Sequence, residues 1–215
     1  MIYLIIFIGL FIGVTLAWSF YSKEKNQILE KNYPEGVTKY NIHDIYKDYS
    51  PTKYKTISQK LSLPVHLMLF NLSGDANIAL AIRTAAVMGC STIWIVGKKK
   101  YNRRALVGSH NYITINKIDS VDLNFFTKHN IQPFIIEQNG TSIEDIKFKK
   151  YTNKPVCFIV GSESLGIPID FIKTMKDTPM LSISQYGMVK SLNVSIASSI
   201  VIFEYCRQLR QTINI

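Results

Sequence analysis

Hydrophobic and polar positions divide the chain into three stretches. Residues 1–22, MIYLIIFIGLFIGVTLAWSFYS, are almost wholly apolar, and no charged side chain precedes Lys23. About 20 apolar residues rising ~1.5 Å each cross a bilayer core, so this run is expected to be a transmembrane anchor. Trp18 and Tyr21 suit the membrane interface, and Lys23 and Lys25 form a positive flank. A cleaved signal peptide fits less well, because the apolar run is too long and has no basic start. The positive flank would leave the rest of the chain in the cytosol. Without insertion the protein would be soluble and cytoplasmic. Residues 23–63 are polar and lack a sustained period. They read as a linker or small irregular segment, broken at Pro34-Glu35-Gly36 and Ser50-Pro51, with a short helix near 42–49.

From residue 64 the pattern becomes regular. VHLMLFNL, STIWIVG, QPFIIEQ, PVCFIVGSE and PMLSIS are short apolar runs that suit buried strands. Between them lie helical stretches: DANIALAIRTAAVMGC, closed by Gly89, then SVDLNFFTKHN and IPIDFIKTM. SLNVSIASSIVIFEYCRQLRQ forms a last helix, apolar over most of its circumference and so either buried or packed in an interface. Strands that are continuous apolar runs, alternating with helices, predict an α/β fold: a mostly parallel sheet with helices on both faces. Ligands of such sheets bind at the carboxyl ends of the strands. The loops at 71–77, 97–109, 137–140, 161–166 and 184–193 are therefore where chemistry is expected.

Composition adds a sign to this picture. The chain has 215 residues and a formal net charge of +10. Residues 23–60 hold eight Lys against five acids, so most of the excess falls on residues 61–215. A basic excess points to a polyanionic partner, nucleic acid or an anionic membrane surface. The three cysteines, Cys90, Cys157 and Cys206, form no C-x-x-C pair and read as buried free thiols. The four histidines have no metal-ligand spacing, so no structural metal is expected.

Four features carry candidate chemistry. In NLSGDANIALAIRTA, Arg83 stands among small and apolar neighbours, where a guanidinium costs desolvation energy unless paired. It is either a structural or snorkelling arginine or a partner for an anion. FIVGSESLGIP puts Gly161, Ser162 and Glu163 directly after a strand; it is neither a dinucleotide fingerprint nor a Walker loop. QYGMVKSLNVS runs a polar loop into the last helix, where Ser191 or Asn193 can cap and free backbone N–H groups can grip a small molecule. GKKKYNRR places Lys98, Lys99, Lys100, Arg103 and Arg104 around Tyr101, a cluster suited to phosphates with an aromatic to stack on a base. Each alone has a plain structural reading: a capped helix, a polar turn, or a solvated charged face.

Taken together and in order, NIALAIRTA, IVGSESLGIP and ISQYGMVKSLNVSIA resemble the three motifs of the SpoU/TrmH family of RNA 2′-O-ribose methyltransferases, of the SPOUT superfamily. The resemblance covers about residues 64–212. It implies a C-terminal trefoil knot, a homodimer packed through the last helix, and tRNA or rRNA as substrate. S-adenosylmethionine is the implied cofactor, bound by Ile136, Glu137, Gly140, Gly161, Ile183, Gln185, Ser191 and Leu192. Arg83 matches the family's catalytic arginine, and Glu163 and Asn193 match supporting motif positions. Asn77 and the basic cluster would meet RNA. Ala79 stands where the family usually has glycine and Ser184 where it has proline, which would crowd the substrate side and loosen the cofactor loop. A catalytically silent, membrane-tethered RNA-binding protein of the same fold is the alternative.

Overall fold

The computed structural model describes residues 42–213, apart from 47–48, 71, 73, 98–99, 152 and 163. The expected anchor at 1–22 lies outside the described residues, as do Lys98, Lys99 and Glu163. Among the described residues no helix is long and apolar enough to cross a membrane. The described residues belong to one compact unit, Tyr40–Ile215.

Six strands, β1 Leu63–Phe70, β2 Cys90–Val96, β3 Thr114–Ile118, β4 Gln132–Ser142, β5 Val156–Val160 and β6 Met180–Ser182, form one sheet in the order β3-β2-β1-β5-β4-β6. Every pairing is parallel. The helices are α1 Pro51–Leu61, α2 Asp75–Val87, α3 Leu123–Lys128, α4 Ile169–Thr174 and α5 Val194–Ile213. Because successive strand side chains point to opposite faces, each central strand feeds two cores. Leu67, Ile93, Phe134 and Phe158 join one core with Ile78 and Ile82 of α2 and Val201, Ile202 and Tyr205 of α5. Met68, Trp94, Ile135 and Ile159 join the other with Phe126 of α3 and Phe171 of α4. Helices thus cover both faces, as the apolar strand pattern requires.

Helices α2 and α5 run side by side in one direction. Asn193 Nδ2 donates to Asn77 Oδ1 at 3.1 Å, Ser199 Oγ to Thr84 Oγ1 at 3.2 Å, and Cys206 Sγ to the Met88 carbonyl at 3.6 Å. These contacts climb both helices in step. All three cysteines are free and buried, as read from their apolar neighbours.

Two elements differ from the sequence reading. The chain does break at Ser50-Pro51, where Ser50 is extended, but a helix not expected from the sequence, α1, begins at Pro51. Proline is well placed in a first helical turn, where its missing N–H has no partner to lose. Strand β3, TINKI, is an edge strand with no fully buried residue, so it lacks the apolar run that marked its neighbours.

Candidate active site

Strands β4 and β5, the turn after β5, the loop after β6 and the start of α5 converge on a cleft of about 640 Å³. It opens at the carboxyl edge of the sheet, on the side of β4 and β5. Ile136, Glu137, Gly161, Ile183, Gln185, Ser191, Leu192 and Asn193 all border it. These residues come from three stretches far apart in sequence.

Glycine is demanded at two positions by close backbone approach. A Cβ on Gly161 would run into the backbone of Gly166 and Ile167. The reason is a tight turn closed by Ser162 N–H to the Gly166 carbonyl at 3.0 Å and Gly166 N–H to the Ser162 carbonyl at 2.8 Å. A Cβ on Gly140 would collide with the backbone of Met180 and Leu181. Gly140 does not border the cleft. It lies behind it, where β4 meets β6, and its carbonyl accepts from Ser182 Oγ at 2.8 Å.

The loop before α5 is tied down at several points. Asn193 caps the helix: its Oδ1 accepts from Ser195 N–H at 2.9 Å and from Ser195 Oγ at 2.6 Å. Gln138 Nε2 donates to the Lys190 carbonyl at 3.1 Å, joining the end of β4 to this loop. Ser184 Oγ lies 3.0 Å from Ser142 Oγ, so serine in the proline position is itself anchored to β4. Glu137 Oε1 accepts from Ile167 N–H at 3.4 Å, which aims a carboxylate across the cleft toward the Gly161 turn. Ser162, marked as part of the turn after β5, borders the cleft as well, and so do Gln138, Gly166, Lys190, Val194 and Ala197, which were not singled out from the sequence. Gln138 and Lys190 neighbour residues that were, and only the hydrogen bond between them, which joins β4 to the distant loop, reveals them.

The remaining marked residues lie elsewhere. Arg83 does not border the cleft of its own chain; it borders a second cavity, beside α1. It is exposed, so the desolvation argument made from its apolar sequence neighbours does not apply. Those neighbours, Ile82 and Ala85, point into the core from other sides of α2. Ala79 is fully buried and turned away from solvent, so it does not crowd a substrate surface. Lys100, Arg103 and Arg104 are exposed. Tyr101 packs against the core with Lys117 Nζ 4.9 Å from its ring centre, so one face is already covered.

With this geometry in view, the comparisons are specific. The sequence profile of the SpoU rRNA Methylase family matches residues 64–203. A tRNA (guanosine(18)-2′-O)-methyltransferase of Aquifex aeolicus is 31% identical over 144 residues, covering 64% of this chain and 66% of that protein. The chain thus spans about two thirds of the length of that relative. Among solved structures, the A. aeolicus TrmH/SpoU tRNA modifying enzyme superposes with a TM-score of 0.63 at 21% identity, covering 76% of this chain and 84% of that one. An AdoMet-bound rRNA methyltransferase from Sinorhizobium meliloti superposes with a TM-score of 0.56 at 25% identity, covering 71% and 60%.

Proposed function

The chain belongs to the SpoU rRNA methylase family, and from that premise we propose that it transfers a methyl group from S-adenosylmethionine to a ribose 2′-hydroxyl of RNA. The supporting observation is the convergence of three distant loops on one cleft at the carboxyl edge of the sheet. The name of the Aquifex relative favours tRNA over rRNA as substrate.

The cleft suits the cofactor. Its volume of about 640 Å³ falls within the roughly 300–1,000 Å³ of small-molecule sites. Ile136, Ile183, Leu192 and Val194 offer apolar contact to a flat base, and Glu137 with the loop at 190–193 offers polar partners. When bound, S-adenosylmethionine supplies a methyl group on a sulfonium. The chain's own work is positioning and charge. Asn193 is held by the helix it caps and by Asn77, which fixes the loop edge of the cleft. A ribose hydroxyl is a weak nucleophile near neutral pH, and a cation near the developing alkoxide lowers the barrier. Arg83, permanently protonated, is the residue proposed for that charge and for placing an RNA phosphate, although within its own chain it stands outside the cleft. Asn193 supports the cleft loop, Glu163 is assigned to support the arginine, and Asn77, Lys98, Lys99, Lys100, Arg103 and Arg104 are assigned to the RNA backbone.

Two finer features go with this reading. The segment after β6 is threaded as a trefoil knot, a reading supported by the pairing of β6 with β4 and the tie between Gln138 and Lys190. Pulling the ends apart should leave a chain shorter than full extension; full extension would exclude a knot. Residues 1–22 tether the enzyme to a membrane, on the strength of their apolar sequence. The full chain should then sediment with membranes through alkaline washing, and deletion of 1–22 should release it.

Purified protein incubated with tRNA and methyl-labelled cofactor should yield labelled 2′-O-methyl nucleosides after nuclease digestion. Arg83→Ala should lower kcat/KM by about 100-fold or more while cofactor binding persists. Full turnover in Arg83→Ala would remove the guanidinium from the mechanism. Absence of label from both tRNA and rRNA would remove the enzymatic reading itself.

A further inference from the structure

The loop between β6 and α5 carries an aromatic residue that the cofactor reading does not use. Tyr186 is 92% exposed, the most exposed aromatic side chain among the described residues. It follows Gln185, which borders the cleft, and no aromatic side chain borders the cleft itself among the described residues. Tyr186 therefore stands at the rim of the cleft rather than in its wall.

The loop is tethered on both sides. Ser184 Oγ lies 3.0 Å from Ser142 Oγ, and the Lys190 carbonyl accepts from Gln138 Nε2 at 3.1 Å. Ser142 and Gln138 both belong to β4, so residues 185–189 form an arch with both feet on one strand. Its own chain leaves the crown open: a Cβ added to Gly187 would meet nothing within 4 Å beyond its two neighbours. Tyrosine has only two side-chain torsions to fix, so a flat partner can land on its ring at little cost in entropy. Charge joins the ring. Lys190 is exposed, and its ammonium makes no ion pair or hydrogen bond among the described residues. An aromatic face beside a free cation is the pairing that sites for unpaired nucleic acid use, with a base on the ring and a phosphate on the cation.

We propose that Tyr186 stacks on an unpaired base of the substrate RNA, with Lys190 on a phosphate of the same strand. The arch would then hold the strand across the mouth of the cleft, with a ribose hydroxyl turned inward. The inference rests on the RNA methyltransferase reading and deepens it by naming residues that place the substrate. Tyr186 is a positioning residue, since it touches the base and not the reacting atoms.

The test uses the full chain, fluorescently labelled tRNA for anisotropy over a range of salt, and calorimetry with S-adenosylmethionine. Tyr186→Ala should bind tRNA about 5- to 100-fold more weakly, the range for losing one stacked base. Its salt slope and its cofactor dissociation constant should stay put. Tyr186→Phe should restore most of the affinity, because the ring stacks and the hydroxyl does not. Tyr186→Trp should also bind, and the emission it adds to that of Trp18 and Trp94 should fall when RNA covers the indole. Lys190→Gln should lower the slope of log K against log salt by about 1, and Lys190→Arg should restore it. Wild-type RNA affinity in Tyr186→Ala, or a wild-type salt slope in Lys190→Gln, would overturn the proposal. If wild type still methylates RNA in that case, the enzymatic reading survives. A Tyr186→Ala protein that shifts in sedimentation but keeps its RNA affinity would assign the ring to contact between copies of the chain, and the proposal fails. If wild type binds neither tRNA nor rRNA, both readings fall.

Discussion

Asn193 combines two duties that a substitution can separate. Its Oδ1 caps α5 through Ser195, and its Nδ2 reaches Asn77 on α2. Asn193→Ala loses both, and loss of the cap alone should cost about 1 kcal/mol of stability, read as a lower urea midpoint. Asn193→Asp keeps the cap and suits the positive end of the helix, but it cannot donate to Asn77. The aspartate variant should therefore hold its urea midpoint yet lose methyl transfer; full activity in it would show that only capping matters. Residue spacing made part of this site legible. Gly161 and residues 191–193 could be marked because a turn after a strand and a polar loop before a helix are local features. Arg83 shows where that reasoning stops. Six residues at about 100° each leave Arg83 roughly 120° around α2 from Asn77, on another face. A motif read as one string joins them, whereas the helix separates them.

At the scale of elements, the sequence betrayed strands that are buried on both faces and concealed those that are not. Strand β5 is buried at every position, so its apolar run was unmistakable. Strand β3 sits at the sheet edge and α1 is a polar helix over the surface, and neither needs an apolar pattern to persist. Strand β1 carries a further cost hidden from any one-dimensional view. His66 Nδ1 accepts from Trp94 Nε1 at 3.1 Å, which requires that nitrogen to be unprotonated. Burial, with a smaller contribution from the nearby His129, lowers the His66 pKa to about 4. Unfolded imidazole titrates near pH 6.5, so between roughly pH 6.5 and pH 4 the unfolded chain binds a proton that the native chain refuses. Stability contributed by this site is present above that window and is lost as pH falls through it. From about pH 7 to about pH 5 the loss should be about 2 kcal/mol. Urea midpoints at the two pH values would measure it, and His66→Gln, which cannot titrate, should show a shallower decline. An equal decline in wild type and variant would place the pH sensitivity elsewhere.

For the whole molecule, the question is what covers α5. Its inner face is locked into the core by Val201, Ile202 and Tyr205. Its outer face shows Ile196 and Phe203, both about half exposed and two turns apart on one side. Leu192, just before the helix, and Met188 and Val189 in the cleft loop are also exposed. Isolated surface apolar residues need no explanation, but several exposed ones on one helix face and in the loop before it call for a cover. A second copy of the chain, packed through α5, would bury them, and a stable interface of that kind removes at least about 1,000 Å² from water. That is the homodimer through the last helix that the family resemblance implies. It would bring the partner's surface close to the cleft loop, so dimerisation and cofactor binding should be linked. Ile196→Glu with Phe203→Glu should convert the protein from dimer to monomer in sedimentation, because each glutamate would have to bury a charge. The monomer should keep its helical circular dichroism, since neither side chain enters the core. It should also bind S-adenosylmethionine more weakly, as the cleft loop loses its cover. A wild-type protein that sediments as a monomer at assay concentrations, or a doubly substituted one that remains a dimer, would exclude α5 as the seat of assembly.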